Sequence, residues 1–276
     1  MHTGYYFGFF LAALANYFIG ASFGWRWMFI LGGAPALLVG WIRRGVRESA
    51  AWQKRLGDKP HRPKMGQAFG ELFSPRYLQR TIVMSLLFLL SIIGLWAGSI
   101  YVPTAVTQIA LRQGYAARDA ARLASYGTGV LSIGTILGCI VLPVIAERLG
   151  RRLTMGLYFA LMGTSIAYAF GYVFYMPRAL QSFFMMVFLL GVGGANFAMY
   201  TLWIPELYTT ECRASAIGFT SSVGRFVGCG MVFLVGAGIA RFGSLGAPVA
   251  LTSIAFLLGL LVLPFADETR GKPLPI

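Results

Sequence analysis

Arg225 stands in the stretch VGRFVGCG (223–230), inside an otherwise apolar run from Ala214 to Ala240. A guanidinium is permanently charged and planar, with five donors that match a carboxylate or phosphate. At 1.5 Å of rise per residue, Arg225 lies about 16 Å along a helix from Ala214, near mid-bilayer. Arginine at a helix centre costs about 2.5–3.5 kcal/mol to insert, and such residues face a partner or a wet cavity. None of the nine Asp and Glu falls within an apolar run. Four partners stay open for Arg225: an anionic substrate, a carboxylate at a span edge or in further helices, carbonyls at a break near Gly224 and Gly228, or the aqueous surface reached by snorkelling.

A second set of charges gathers in short motifs between the runs: VRES (46–49), ERLGRR (147–152), PELYTTECR (205–213) and DETRG (267–271). Carboxylates and guanidiniums at helix ends form charge-assisted, often bidentate pairs. Glu147, Arg148, Arg151, Glu206, Arg213, Glu268 and Arg270 are thus candidates to latch one face of the molecule in one state and release it in another. Helix capping and fixed topology signals are the plainer alternative.

Polar residues also appear within the runs. Gly193, Asn196, Tyr200 and Trp203 recur at intervals of three, four and three, so they share one helix face. They read either as cavity lining or as inter-helix hydrogen bonding. Thr128, Ser132, Thr135 and Cys139 share another face with Gly134-x-x-x-Gly138, a pattern that reads as a packing seam. Asn16 is an isolated polar residue whose role stays undecided.

The elements that position these residues are membrane helices. Hydrophobic residues make up 57% of the chain and charged ones 12%, against roughly 25% charged in a soluble domain. Eight apolar windows are long enough to span, near 4–23, 26–42, 80–102, 124–146, 154–175, 182–204, 214–240 and 246–266. The second is short and holds Pro35. Continuous rather than alternating apolarity makes them helices, not barrel strands. Ten of the 23 Lys and Arg lie in residues 43–80, and sixteen fall on one side if alternate connectors share a face. The positive-inside rule makes that side cytoplasmic, with the C-terminus there too. The basic 43–79 connector reads as a topology-setting linker, with binding of anionic lipid heads as its alternative.

These features exclude other classes. The net charge of +14 is spread between apolar runs, which argues against nucleic acid as a partner. Cys139, Cys212 and Cys229 lack metal-ligand spacing, so no metal or cofactor is expected. His2 and His61 lie outside the apolar cores and no acid pair lies within them, which argues against an intramembrane enzyme. No Walker-type loop is present to drive a primary pump.

VRES and DETRG follow the second and last runs at the same face, with six runs between them. That echo suits transporters built from two six-helix repeats. GWRWMFILGGAPALLVGWIRRGVRES (24–49), ERLGRR, PELYTTECRASAIGF (205–219), SSVGRFVG (221–228) and DETRGKPL (267–274) together resemble the major facilitator superfamily, in its sugar-porter and metabolite:proton symporter branches. Arg47 replaces a proline of the helix 6 exit motif. Glu147 stands for Asp in the loop motif, which keeps Arg148, Gly150, Arg151 and Arg152. Asp267 replaces the proline of the final motif.

The resemblance implies an all-α membrane protein of the major facilitator fold with about eight transmembrane helices, equivalent to helices 5–12 of twelve. Residues 1–42 would be the last two helices of the N-terminal bundle, 43–79 the linker, 80–266 the complete C-terminal bundle and 267–276 the cytoplasmic tail. It places Trp96 and Ser99, with Asn196, Tyr200, Trp203 and Arg225, beside a central substrate cavity. Glu48, Glu147, Arg148, Gly150, Arg151, Arg152, Glu206, Arg213, Glu268 and Arg270 belong to the cytoplasmic gating motifs.

The expected function is proton-coupled symport of a small organic anion, a carboxylate, by alternating access across a bacterial inner membrane. The lone intramembrane arginine favours an anion. A sugar:proton symporter and an inactive truncated remnant are the alternatives. The coupling acid is expected in helices 1–4, outside this chain. The partners expected are the small-molecule substrate, protons and the lipid bilayer.

Overall fold

The computed structural model describes residues 2–45 and 65–275, and every element among them is helical. Glu48 and most of the basic linker lie outside the described residues. The first helix, α1 (His2–Ala15), passes through a π-helical turn (Asn16–Gly20) and a short turn (Ala21–Phe23). Gly24, at φ 88°, then joins it to α2 (Trp25–Gly45), which runs through Pro35. After a short α3 (Met65–Glu71) come α4 (Leu78–Ile100), α5 (Val102–Arg112), α6 (Ala117–Leu149) and α7 (Arg151–Gly171). The chain ends with α8 (Ala179–Gly194), α9 (Asn196–Leu207), α10 (Arg213–Phe242), α11 (Gly246–Leu251) and α12 (Ile254–Val262).

Among the described residues, six helical stretches are long and apolar enough to cross a membrane: Leu78–Arg112, Ala117–Leu149, Arg151–Tyr175, Ala179–Leu207, Arg213–Phe242 and Gly246–Phe265. They match the last six apolar windows; the first five are longer than their windows, and the last ends one residue short. The first two windows are helical but do not fall within that set.

Three of the six are broken in mid-course, Gly246–Phe265 among them at Thr252–Ser253. The Leu78–Arg112 stretch breaks at Tyr101, just ahead of Pro103, because proline cannot donate to the preceding turn. The Ala179–Leu207 stretch breaks at Ala195 after Gly193-Gly194. The Asn196 side-chain amide donates to Gly193 O at 2.9 Å across that second break.

Packing follows the small residues. A Cβ on Gly134 would lie 2.4 Å from Phe188 O, one on Gly138 2.6 Å from Val192 O, and one on Gly191 2.3 Å from Leu131 O. Helices α6 and α8 therefore touch backbone to backbone, as small-residue seams in lipid do. Helix α10 packs on α4 through Gly224 against Phe88 and Gly228 against Ile92. Helix α1 lies against α6, tied by Asn16 Nδ2 donating to Ser125 Oγ at 2.8 Å.

Candidate functional site

The ERLGRR motif folds as a helix end, a turn and a helix start. Gly150 sits at φ 91°, between the last turn of α6 and the first of α7. That backbone conformation suits glycine alone among common residues. It also leaves room for a carboxylate, since a Cβ on Gly150 would come within 2.8 Å of Glu268 Oε2.

Arg151, the first residue of α7, is the hub. Its side chain is 6% exposed. Nε and Nη2 reach the two oxygens of Glu206 at 3.0 and 2.7 Å, a bidentate pair. Nη2 also meets Glu147 Oε1 at 2.8 Å, and Nη1 donates to Ala146 O at 3.1 Å. Thr269 Oγ1 donates to Glu206 Oε2. One guanidinium thus joins the end of α6, the start of α7, the end of α9 and the chain after α12.

Glu268 works beside it without touching the guanidinium. Its oxygens accept backbone N–H bonds from Arg151 at 2.9 Å and from Arg152, Thr269 and Arg270 at 3.0 Å. Burial opposes its ionisation, yet the N–H donors of Arg151, Arg152, Arg270 and Thr269 outweigh it and hold the carboxyl below its ordinary range. The carboxylate also faces the positive end of α7. Arg152 Nη2 reaches Pro264 O. Arg213 donates to Tyr208 O at 3.3 Å and Pro275 O at 3.1 Å, while Arg148 is exposed.

Sequence reasoning missed a neighbouring tie. Arg80 Nε meets Asp267 Oδ2 at 2.6 Å, and its Nη1 donates to Leu207 O at 3.0 Å. Trp203 Nε1 donates to Asp267 O at 3.0 Å. The unusual acid doublet Asp267-Glu268 was the available signal.

A cavity of about 250 Å³ lies where α1 meets α4, α6 and α8. Tyr5, Tyr6, Phe9 and Trp96 supply aromatic walls, and Ser99 and Thr135 supply hydroxyls. Trp96 and Ser99 both line it. Asn196, Tyr200 and Trp203 are instead packed inside the bundle, at 0%, 2% and 0% exposure. Tyr200 shares a 2.7 Å hydrogen bond with Ser91, and Asn196 Oδ1 is a buried acceptor without a partner. Arg225 is exposed on α10, beside Phe226 at 83% exposure, and is not among the residues lining this cavity.

Over residues 1–231, the sequence matches the family profile described as the Major Facilitator Superfamily. The chain belongs to that superfamily. Among relatives in the Major Facilitator Superfamily, it is 25% identical to the niacin transporter NiaP of Acinetobacter baylyi, over 97% of this chain and 64% of that protein. It is 26% identical to a probable 4-methylmuconolactone transporter of Cupriavidus pinatubonensis, over 95% of this chain and 58% of the relative. For the 4-hydroxybenzoate transporter PcaK of Acinetobacter baylyi the figures are 24%, 96% and 60%. The chain therefore spans about three fifths of the length of the curated relatives it matches. The inward-open xylose transporter XylE from E. coli superposes with a TM-score of 0.60 at 22% identity, over 70% of this chain and 48% of that one. That likeness is one of fold.

Proposed function

We propose that the chain forms part of a secondary carrier that moves a small organic anion, an aromatic carboxylate, together with protons by alternating access. The Arg151 junction carries this reading. Breaking a buried ion pair by removing one partner is costly, about 3–5 kcal/mol. A junction with one bidentate pair and one exposed partner, Glu147, has a way to open: the guanidinium keeps a water-accessible carboxylate while it leaves Glu206. Two states separated by such an exchange are biased by whatever binds one of them better. The positive-inside count puts this junction on the cytoplasmic face.

The substrate class rests on the cavity and on the relatives. Its volume is small for a drug-sized ligand but suits a single ring. Four aromatic side chains offer edge and face contacts to such a ring, and Ser99 and Thr135 offer hydroxyl oxygens. Named relatives carry niacin and 4-hydroxybenzoate, both ring carboxylates.

The test is uptake of labelled nicotinate and 4-hydroxybenzoate by cells producing the protein, with and without a pH gradient. Arg151→Gln should abolish uptake and Arg151→Lys should leave a residual rate, because lysine keeps the charge but not the bidentate geometry. Uptake undiminished in Arg151→Gln would falsify the junction's role in transport. Uptake indifferent to the pH gradient would remove proton coupling.

A further inference from the structure

A second cavity, of about 400 Å³, opens on the other side of the α1–α6 seam. Phe10, Leu14 and Phe18 line it from the first helical stretch, and Tyr126, Val130 and Ile133 from α6. Tyr5 of the aromatic cavity and Leu14 of this groove are nine residues apart, two and a half helical turns, and so point in opposite directions. Four of the lining side chains are well exposed: Leu14 at 39%, Phe18 at 65%, Tyr126 at 58% and Ile133 at 43%. At the depth of a spanning helix, an apolar groove that opens outward meets acyl chains.

One end of the groove is cationic. Arg122 lies one turn from Tyr126 on α6, with its guanidinium 5.8 Å from the Tyr17 ring centroid. Its Nε is buried and has no hydrogen-bond partner. Arg118, one turn further, donates from Nη2 to Ser22 Oγ at 3.2 Å. Among the described residues no carboxylate forms an ion pair with either charge. Among the described residues the ion pairs all lie at the opposite end of the bundle, at Arg151 and Arg80. Asp119, also exposed on α6, forms none with them. From Arg122 to Ile133 the helix rises about 16 Å, close to one leaflet of a hydrocarbon core about 30 Å thick.

We propose that this groove is a binding site for one anionic phospholipid, with the phosphodiester on Arg118 and Arg122 and an acyl chain laid along the α1–α6 seam toward Ile133. The charge, the apolar lining and the one-leaflet length meet in a single ligand. The Arg118 and Arg122 guanidiniums, paired with no carboxylate among the described residues, are the charges that the phosphodiester would meet. The π-helical turn at Asn16–Gly20 shapes the groove's upper wall, since it carries Tyr17 and Phe18. The site needs only that the bundle spans a bilayer, so it stands apart from the identity of the transported solute.

The test is native mass spectrometry of the full-length protein in detergent, titrated with phosphatidylglycerol, phosphatidylcholine, dihexanoyl phosphatidylglycerol and inorganic phosphate. Long-chain phosphatidylglycerol should bind at one site more tightly than the other three. The Arg118→Gln, Arg122→Gln double variant should weaken it roughly thirty-fold, on the scale of two interfacial charges, and leave phosphatidylcholine unchanged. Ile133→Trp, which fills the groove, should weaken the long-chain lipid but not the dihexanoyl form. Unchanged phosphatidylglycerol affinity in the double variant overturns the proposal. So does full displacement of the lipid by inorganic phosphate, which would make this a free-anion site. A photoactivatable phosphatidylglycerol on the unaltered protein checks the result without any variant: label on residues 122–133 supports the site, and label only elsewhere sinks it.

Discussion

Glu268 binds the backbone of Arg151 rather than its side chain. Its Oε1 accepts the Arg151 N–H at 2.9 Å, and its Oε2 accepts that of Arg152 at 3.0 Å. Glu206 and Glu268 therefore divide the work at the Arg151 junction. Glu206 neutralises the guanidinium, and Glu268 caps the helix that carries it, from a segment more than a hundred residues further along the chain.

Acidification should reveal that cap. The Glu268 carboxyl is held below its ordinary value of 4.5, so its stabilising contribution is fully present above that value. It fades as pH falls below 4.5 and through the lower folded-state value. Glu268→Gln should melt at a lower temperature than the parent at pH 7, by a loss on the scale of a helix cap, about 0.5–2 kcal/mol. The gap between the two should close below pH 4.5. Thermal unfolding in detergent across pH 3–8 measures it, and a gap independent of pH would show that the carboxylate charge is irrelevant.

Gly150→Ala probes the same contact from the other side. The new Cβ would meet Glu268 Oε2 at 2.8 Å, in a backbone conformation at φ 91°. Left-handed backbone alone costs roughly 1–2 kcal/mol for a residue with a side chain. The variant should therefore be destabilised by at least that much. Combined with Glu268→Gln, it should show less than the sum of the two losses, because both act on one contact. Strict additivity in thermal melts would separate them.

Much of this junction was legible in the sequence, and the reasons differ by residue. Arg151, Glu147 and Glu206 were marked because charges beside apolar runs stand out, and because ERLGRR and PELYTTECR resemble known motifs. The partner choice was not legible. Glu268 was marked as one of seven charges able to latch that face, whereas the geometry gives it backbone donors that no spacing rule reveals. Arg80 and Asp267 were missed as a pair, since 187 residues separate them. The stripe from Gly193 to Trp203 was read as one helix face, but the helix breaks at Ala195 within it. Periodicity cannot say which neighbour covers a residue: Gly193 packs on Met162 of α7, Tyr200 bonds Ser91 of α4, and Trp203 bonds the tail at Asp267. The Gly134–Gly138 seam needed no such choice, because small residues in a membrane helix nearly always mean a close neighbour.

The Arg80–Asp267 pair and the Trp203 hydrogen bond should separate cleanly under mutation. Both charged side chains are about two fifths exposed, at 37% and 43%, so Asp267→Asn should change stability by under about 1 kcal/mol. Trp203 is fully buried and donates to Asp267 O. Trp203→Phe leaves that carbonyl without its donor and opens a void, at a cost of about 1–3 kcal/mol. Equal losses in a chemical-denaturation series would mean that the ion pair matters more than its exposure allows.

Arg225→Gln distinguishes a charge kept for a solute from one kept for the fold. The residue is exposed on α10, and its helix contacts α4 through Gly224 and Gly228 on another face. Loss of its charge should therefore leave thermal stability within about 0.5 kcal/mol, as for surface substitutions without special contacts. If the proposed anion passes this face, uptake of 4-hydroxybenzoate should fall at least tenfold while that of a neutral analogue, 4-hydroxybenzamide, stays level. Arg225→Lys should recover part of the loss, since it restores the charge without the planar fork. A fall shared equally by the charged and neutral compounds would assign Arg225 to the conformational cycle. A fall in melting temperature in place of any change in uptake would assign it to folding, through a partner that its exposed position does not suggest.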